Sequence, residues 1–211
     1  MRHWQAAVQI SSSQNVHVTG VSISSHQIEL AQALAVAKAK DTSSNPQVTL
    51  QRAYTMSLPF AYGSFDGAYT IESLFHMNDR GLALSEIHRA LHRGTRLAIA
   101  DALTSEAGGP PTEPKKEIMG FLQNTWQMPS VAPTEREWRD LLAGAGFDIK
   151  EFREVRDTLR RSFEAIEAAL KKVDVSGDAE AEARLQAVVA DVKKVATLRQ
   201  ASCVLITAVR A

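Results

Sequence analysis

Short segments rich in β-branched residues alternate with longer segments of helical periodicity along most of this chain. Residues 16–21 have the Val and Thr content and the two-residue alternation of a strand, and residues 26–40 have apolar positions at helical spacing. Residues 67–71 and 97–100 are further strands, and the second of these is predicted to be fully buried. This alternation predicts a mostly parallel sheet with helices on both faces, and therefore an α/β fold.

Capping side chains mark where two of the predicted helices begin. Asp79 has the position of an N-cap, and Gly94 is predicted to close the helix that follows it. Thr134 and Glu137 have the spacing of a capping box, in which each side chain accepts from a backbone N–H group of the other residue. The apolar residues expected on one buried face of the first helix are Leu82, Leu84, Ile87 and Leu91.

The chain of 211 residues is long enough for the core of one domain, which we predict over residues 1–211. Regular patterns stop between residues 104 and 133, where glycines and prolines interrupt both helices and strands. A long irregular connection in a compact domain is usually functional, so this segment is predicted to be a lid-like insertion. Residues 156–197 are predicted to be a helical insertion before the last strand, 203–209.

Charge and cysteine content exclude several classes of function. Lys and Arg together number 24, as do Asp and Glu, so the formal net charge is zero. A balanced charge argues against a nucleic-acid partner and against a polybasic membrane patch, and no apolar run is long enough to span a bilayer. Cys203 is the single cysteine and the histidines lack ligand spacing, so we expect no disulfide, no metal and a cytoplasmic location.

Three blocks of residues, in this order, resemble the class I S-adenosylmethionine-dependent methyltransferases that act on small molecules. They are residues 18–27, residues 58–101 with their Leu-Pro-Phe, Gly-Ser-Phe-Asp and Ile-Glu-Ser-Leu-Phe-His-Met segments, and residues 133–147. The pattern is most similar to the type 11 and sarcosine-type branch. The resemblance implies a Rossmann-like sheet, S-adenosylmethionine as cofactor, and methyl transfer to an oxygen, carbon or nitrogen atom of a small organic substrate.

The resemblance also implies which residues contact the cofactor. Ser22 and Gln27 match the hydroxyl and amide variant of the ribose-binding position, although Ser22 at its simplest ends a strand. Tyr54, followed by Thr55, matches the position that meets the adenine, with core packing as the alternative. Ile71 matches an apolar position that packs against the cofactor or belongs to the core.

The same comparison implies catalytic and substrate residues. Glu72 and His76 are four positions apart, so a helix would place them on one face, near the sulfonium and the substrate. His76 suits the removal of a proton near neutral pH, although enzymes of this kind also work by holding their reactants in line. Phe121, Trp126 and Met128 are candidate lid contacts for an apolar substrate, or simply cover the core.

The first strand and the acidic-x-Gly-x-Gly loop of the resembled family are missing from this chain, in which residues 1–10 match the helix that follows the loop. Three interpretations stay open. The chain is a truncated or mis-started active enzyme, a catalytically degenerate binding or regulatory subunit, or a fold carrying another activity. A partner subunit, or a second copy of this chain, would bind along the sheet edge that the missing strand leaves open.

Overall fold

A computed structural model describes residues 3–41, 47–105, 128–197 and 201–211. These residues form two compact units, Met1–Ala61 and Tyr62–Ala211. Both units combine helices with β-strands, so the predicted α/β class is confirmed. The single domain over residues 1–211 stays a prediction.

The first unit consists of two helix–strand pairs. Its elements are α1 (His3–Gln14), β1 (Val18–Ser22), α2 (Ser25–Asp41) and β2 (Val48–Arg52). β1 and β2 run parallel, with Val18 opposite Val48 and Ser22 opposite Arg52. The buried hydroxyl of Ser11 donates to the Val16 carbonyl at 2.8 Å and accepts from the Gln47 N–H at 2.8 Å, which ties α1 to the starts of both strands.

The second unit is built on a four-stranded sheet in the order β3-β4-β6-β5. Its elements are β3 (Phe65–Ile71), α3 (Arg80–Ala90), β4 (Leu91–Thr104), α4 (Glu135–Gly144), β5 (Phe147–Val155), α5 (Arg156–Leu170), α6 (Ala179–Thr197) and β6 (Ala201–Arg210). β3 is parallel to β4, but β6 is antiparallel to both β4 and β5. Three of the four strands, β3, β4 and β5, therefore run in one direction, as the prediction of a mostly parallel sheet requires, and β6 runs against them between β4 and β5.

The predicted helix starts are confirmed. The Asp79 carboxylate accepts from the Leu82 N–H at 2.8 Å at the start of α3. Thr134 and Glu137 make the complete capping box of α4. The helix α4 ends at Gly144, and Gly146 follows with a φ of +85°, a left-handed conformation that glycine adopts without a steric penalty.

Three details of the α3–β4 region differ from the prediction. Gly94 does not close α3, which ends at Ala90, and lies within β4 with a φ of +76°. Leu82 is exposed, because it lies in the first turn of α3, away from the buried Leu84 and Ile87. Strand 97–100 is not fully buried, since Leu97 and Ile99 are buried while Ala98 is exposed, which is the alternation of a strand with one covered face.

The end of β6 is attached to the start of β4 by Arg210, whose side chain is buried. Its guanidinium donates to the carbonyls of Arg89 and Leu91 and to the hydroxyl of Tyr62.

None of the helices in the described ranges is long and apolar enough to cross a bilayer.

Candidate active site

The turn after β3 carries the two predicted catalytic residues. Glu72 has a φ of +45°, which is uncommon for a residue with a side chain, and its N–H donates to the Ala100 carbonyl at 2.7 Å. The chain then forms a short 3₁₀ turn, Leu74–His76, in which Leu74 and Phe75 are buried. Glu72 and His76 are both exposed, so their side chains are accessible to a ligand.

The prediction that Glu72 and His76 share a helix face is wrong. The 3₁₀ turn has only three residues, and Glu72 lies outside it, separated by Ser73 with a φ of −129°. The His76 ring packs against the neighbouring Phe75 ring, with centroids 4.0 Å apart and planes inclined by 41°. The catalytic roles of Glu72 and His76 stay predictions.

Asp101 of β4 contacts this turn, which the sequence did not predict. It lies in β4, is only 2% exposed, and accepts from the N–H groups of Ser73 at 3.2 Å and Leu74 at 2.9 Å. Its second oxygen accepts from the Ala102 N–H at 2.8 Å. The available signal was an acidic residue directly after the apolar positions of strand 97–100, where a buried carboxylate requires partners.

Burial raises the pKa of Asp101 to about 6, while the three backbone N–H groups and the charge of Arg80 act in the opposite direction. Burial, and then the charges of Glu72 and Asp101, raise the pKa of the Cys203 thiol to about 11. Cys203 is therefore a neutral thiol at physiological pH, and not a nucleophile. The two carboxylates thus favour the protonated form of the thiol beside the turn.

Arg80, the first residue of α3, approaches the same turn from its carbonyl side. Its guanidinium donates to the carbonyls of Leu74 at 3.2 Å and Phe75 at 3.4 Å, and to the Ser130 hydroxyl at 2.9 Å. Burial lowers the pKa of Arg80, and the negative charges of Asp101 and Glu137 counteract this effect. Arg80 remains a cation, because the guanidinium does not deprotonate in proteins.

In the first unit, the predicted ribose-binding residues contact each other. The Ser22 hydroxyl donates to the Gln27 side-chain oxygen at 2.9 Å and accepts from the Ser24 N–H at 3.2 Å. The Ser22 carbonyl accepts from the Ala53 N–H at 3.1 Å, which connects the end of β1 to the residue after β2. The hydroxyl and amide pair lies at the carboxyl end of β1, where α/β folds bind their ligands.

Tyr54 and Thr55 follow β2 in a tight turn, in which Ser57 donates its N–H to the Tyr54 carbonyl at 3.0 Å. The Tyr54 side chain is 59% exposed, so core packing, the alternative interpretation of this residue, is wrong. An exposed aromatic ring offers a stacking face for a planar ligand. Thr55 and, in the second unit, Ile71 are half-buried.

The remaining predicted residues belong to the irregular segment. Phe121 and Trp126 lie outside the described residues, and Met128 is buried. Trp138 in α4 is fully buried and donates its indole N–H to the Ala102 carbonyl at 3.1 Å, directly after Asp101. Among the described residues, no group of three or more His, Cys, Asp or Glu side chains is arranged to hold a metal ion.

Comparison with known proteins identifies methyltransferases among the relatives of this chain and among structures of the same fold. A family model described as a methyltransferase domain matches residues 5–99. The O-methyltransferase rstn1 of Aspergillus nomiae is 44% identical over 154 residues, which are 73% of this chain and 64% of that protein. The chain spans less than two thirds of the length of two of these relatives, rstn1 and the O-methyltransferase resE of Aspergillus sclerotiorum.

Two solved structures show the same fold at low sequence identity. A putative sarcosine dimethylglycine methyltransferase from Galdieria sulphuraria has a TM-score of 0.81 and 16% identity, covering 98% of this chain and 74% of its own. The [4+2]-cyclase SpnF has a TM-score of 0.76 and 23% identity, covering 98% of this chain and 71% of its own. The fold is therefore Rossmann-like.

Proposed function

Since this chain belongs to the methyltransferase family, we propose that it is a class I S-adenosylmethionine-dependent enzyme that transfers a methyl group to a hydroxyl group of a small organic substrate. The observation that carries the proposal is the exposed imidazole of His76 on a turn held by buried charges. The choice of oxygen follows the relative described as an O-methyltransferase. Neither a nucleic acid nor a membrane is proposed as a partner, and the location proposed is the cytoplasm.

The residues at the ends of β1 and β2 fit the cofactor. Ser22 and Gln27 provide a hydroxyl and an amide that bind the two ribose hydroxyls, and Tyr54 offers its exposed ring to the adenine, next to Thr55. Ile71 provides an apolar contact. When bound, S-adenosylmethionine supplies an electrophilic methyl group on a sulfonium.

His76 and Glu72 act on the acceptor. The imidazole of His76 would accept the proton of the acceptor hydroxyl, because histidine is the side chain best suited to take up a proton near neutral pH, while the bound cofactor would supply the methyl group and leave as its neutral thioether. The Glu72 carboxylate provides a second acceptor, which favours the imidazolium once it has formed. Phe121, Trp126 and Met128 contact an apolar substrate, as part of a lid over residues 104–133 of a single domain.

The test is calorimetric titration of S-adenosylmethionine into the chain, with the oligomeric state measured by light scattering. We expect micromolar binding, followed by methyl transfer to hydroxylated aromatic acceptors detected by mass spectrometry. His76→Gln should abolish transfer and leave cofactor binding unchanged, while His92→Gln, an exposed histidine elsewhere in the same unit, serves as the matched control. A folded chain that binds no cofactor would contradict the proposal.

A second candidate function rests on the strand order. Within the described ranges β3 lies at one edge of the four-stranded sheet, and β1 pairs with β2 alone. An open edge accepts a strand from another polypeptide, so the alternative is a binding or regulatory subunit that acts as a homodimer or with another protein. A dimer in light scattering, with cofactor binding absent, would favour this alternative.

A further inference from the structure

We propose that Asp101 and Arg80 are positioning residues, which hold the turn between Ser73 and His76 by opposite sides of its backbone and thereby fix where the His76 ring lies. The Asp101 carboxylate accepts from the N–H side of the turn, and the Arg80 guanidinium donates to its carbonyl side. Each side chain comes from a different element, β4 and α3 respectively.

The N–H side of the turn requires an acceptor from elsewhere in the chain. The first N–H groups of any helix have no partner within it, and a side chain at the N-cap usually satisfies them. Ser73 occupies the N-cap position of this turn, but its side chain makes no capping hydrogen bond. Asp101, 27 residues from Leu74, accepts from the N–H groups of both Ser73 and Leu74 with one oxygen.

The carbonyl side is held in the same manner. Two short-range backbone bonds close the turn, from the His76 N–H to the Ser73 carbonyl at 3.2 Å and from the Met77 N–H to the Leu74 carbonyl at 3.0 Å. Arg80 adds two donors to the Leu74 and Phe75 carbonyls. Its planar guanidinium reaches both, which a lysine with a single nitrogen does not reproduce.

The charges of the two residues explain why they are used as a pair. The buried Asp101 carboxylate is costly alone, and the half-buried Arg80 guanidinium also loses part of its hydration, so each is stabilised by an opposite charge and by hydrogen bonds. The charge of Arg80 stabilises the anionic form of Asp101, and Asp101 in turn stabilises the cation. Two further ionisable groups face the pair. The charges of Asp101 and Glu72 raise the pKa of the Cys203 thiol in β6, and the charge of Glu137 in α4 acts on Arg80.

The position of His76 follows from this arrangement. Its ring packs against Phe75, and Phe75 is buried because the turn directs it into the core. If the turn loosens, we expect the packing of the His76 ring against Phe75 to change with it. The consequence for catalysis rests on the function proposed above, in which His76 accepts a proton, but the geometry of the turn does not.

The test measures the turn directly, without substrate. The packing of His76 against Phe75 displaces its imidazole resonances in NMR spectra of the full chain, and His76→Gln identifies them. In Asp101→Ala we expect most of this displacement to disappear. The amide exchange of Ser73 and Leu74 should become about tenfold faster, since two buried donors lose their acceptor.

Two variants and an internal reference separate positioning from general damage. Asp101→Asn keeps an acceptor oxygen and should restore most of the His76 signal, while Arg80→Lys should displace it partly. His88, which contacts Phe147 edge-on with ring centroids 5.2 Å apart in the same unit, should keep its resonances in every variant. Equal displacement of His76 and His88, or no displacement of either, would overturn the proposal.

Activity then provides a separate arm. Once an acceptor is found, Asp101→Ala should lower kcat about tenfold with the KM of the acceptor within twofold, because positioning acts on the transfer step. An equal change in KM instead would contradict the positioning role. If the chain transfers no methyl group, the NMR and exchange results still decide whether Asp101 and Arg80 hold the turn.

Discussion

The turns after β1 and after β3 both end a parallel strand and both carry predicted site residues, but they are held differently. At Ser22 the contacts are neutral, short in sequence and partly exposed, between a hydroxyl, an amide and a backbone N–H. At Ser73 they come from a buried carboxylate and a guanidinium in distant parts of the chain. The first turn is therefore suited to exchange its contacts for those of a ligand, and the second to keep a fixed shape.

The largest effect is expected from the packing that supports the second turn. Trp138→Ala should lower the free energy of unfolding by about 4 kcal/mol, since it removes a fully buried aromatic side chain and leaves a cavity. Urea denaturation followed by circular dichroism measures this loss. Trp138→Phe, which keeps most of the packing and loses the hydrogen bond to Ala102, should cost about 1 kcal/mol. Equal losses in both variants would contradict this division.

The next effect is a dependence on pH that only the second turn should show. Asp101 titrates at about 6 in the folded chain. An unfolded aspartate titrates at about 3.9, so the folded state binds the additional proton between these values and the difference corresponds to about 3 kcal/mol. Its contribution to stability therefore rises as pH falls through 6.

The measurement compares the wild type with Asp101→Asn by urea denaturation at pH 8 and at pH 4. The difference between their unfolding free energies should shift by about 2.4 kcal/mol in favour of the wild type at pH 4, where the unfolded aspartate is still about half ionised. Glu137 and Glu154 have lowered pKa values, so their contribution to stability changes with pH in the opposite direction. This contribution is the same in both proteins and cancels in the difference. Asp148→Asn, at an exposed position of β5, serves as the control variant.

A smaller effect is expected from Arg80. Arg80→Lys should lower the free energy of unfolding by about 2 kcal/mol, because the ammonium group replaces a planar donor that contacts two carbonyls and a hydroxyl. Thermal unfolding monitored by circular dichroism gives the value. Arg139→Lys, an exposed arginine paired with Glu135, should change stability by less than about 0.5 kcal/mol. If both variants behave alike, the guanidinium of Arg80 does not hold the turn.

The smallest effect on stability is expected at the first turn. Ser22→Ala should change the free energy of unfolding by less than about 1 kcal/mol, since the hydroxyl bonds only to exposed or partly buried groups. The same change should weaken binding of S-adenosylmethionine about fivefold in calorimetry, through one lost hydrogen bond. A loss of stability comparable to that at Asp101 would remove the contrast between the two turns.

The features that the sequence predicted correctly depend on neighbouring residues. The N-cap at Asp79 and the capping box of Thr134 and Glu137 involve groups three positions apart, so local spacing is sufficient. Ser22 and Gln27 were predicted only as cofactor contacts, a role that stays a prediction, and their hydrogen bond to each other is an additional local finding.

The features that the sequence did not predict depend on contacts across the fold. Asp101 meets Leu74 across 27 positions, and the antiparallel place of β6 depends on which strands flank it. The exposure of Leu82 depends on which side of α3 faces the sheet. Helical spacing alone placed Leu82 on the same face as Leu84 and Ile87, although it lies in the first turn and is exposed. Glu72 adopts a left-handed backbone conformation, which a sequence usually signals with a glycine, and this position is a glutamate.

The central place of β6 also has a consequence during protein synthesis. β6 lies between β4 and β5, yet it is translated after both, and Leu97 and Ile99 of β4 pair with Ala208 and Ile206. At ordinary elongation rates of about 5–20 residues per second, roughly 3–10 s separate the completion of β5 from that of β6. Until β6 has been made, neither β4 nor β5 can form its backbone hydrogen bonds to it, so two strand edges that are paired in the folded sheet wait for their partner.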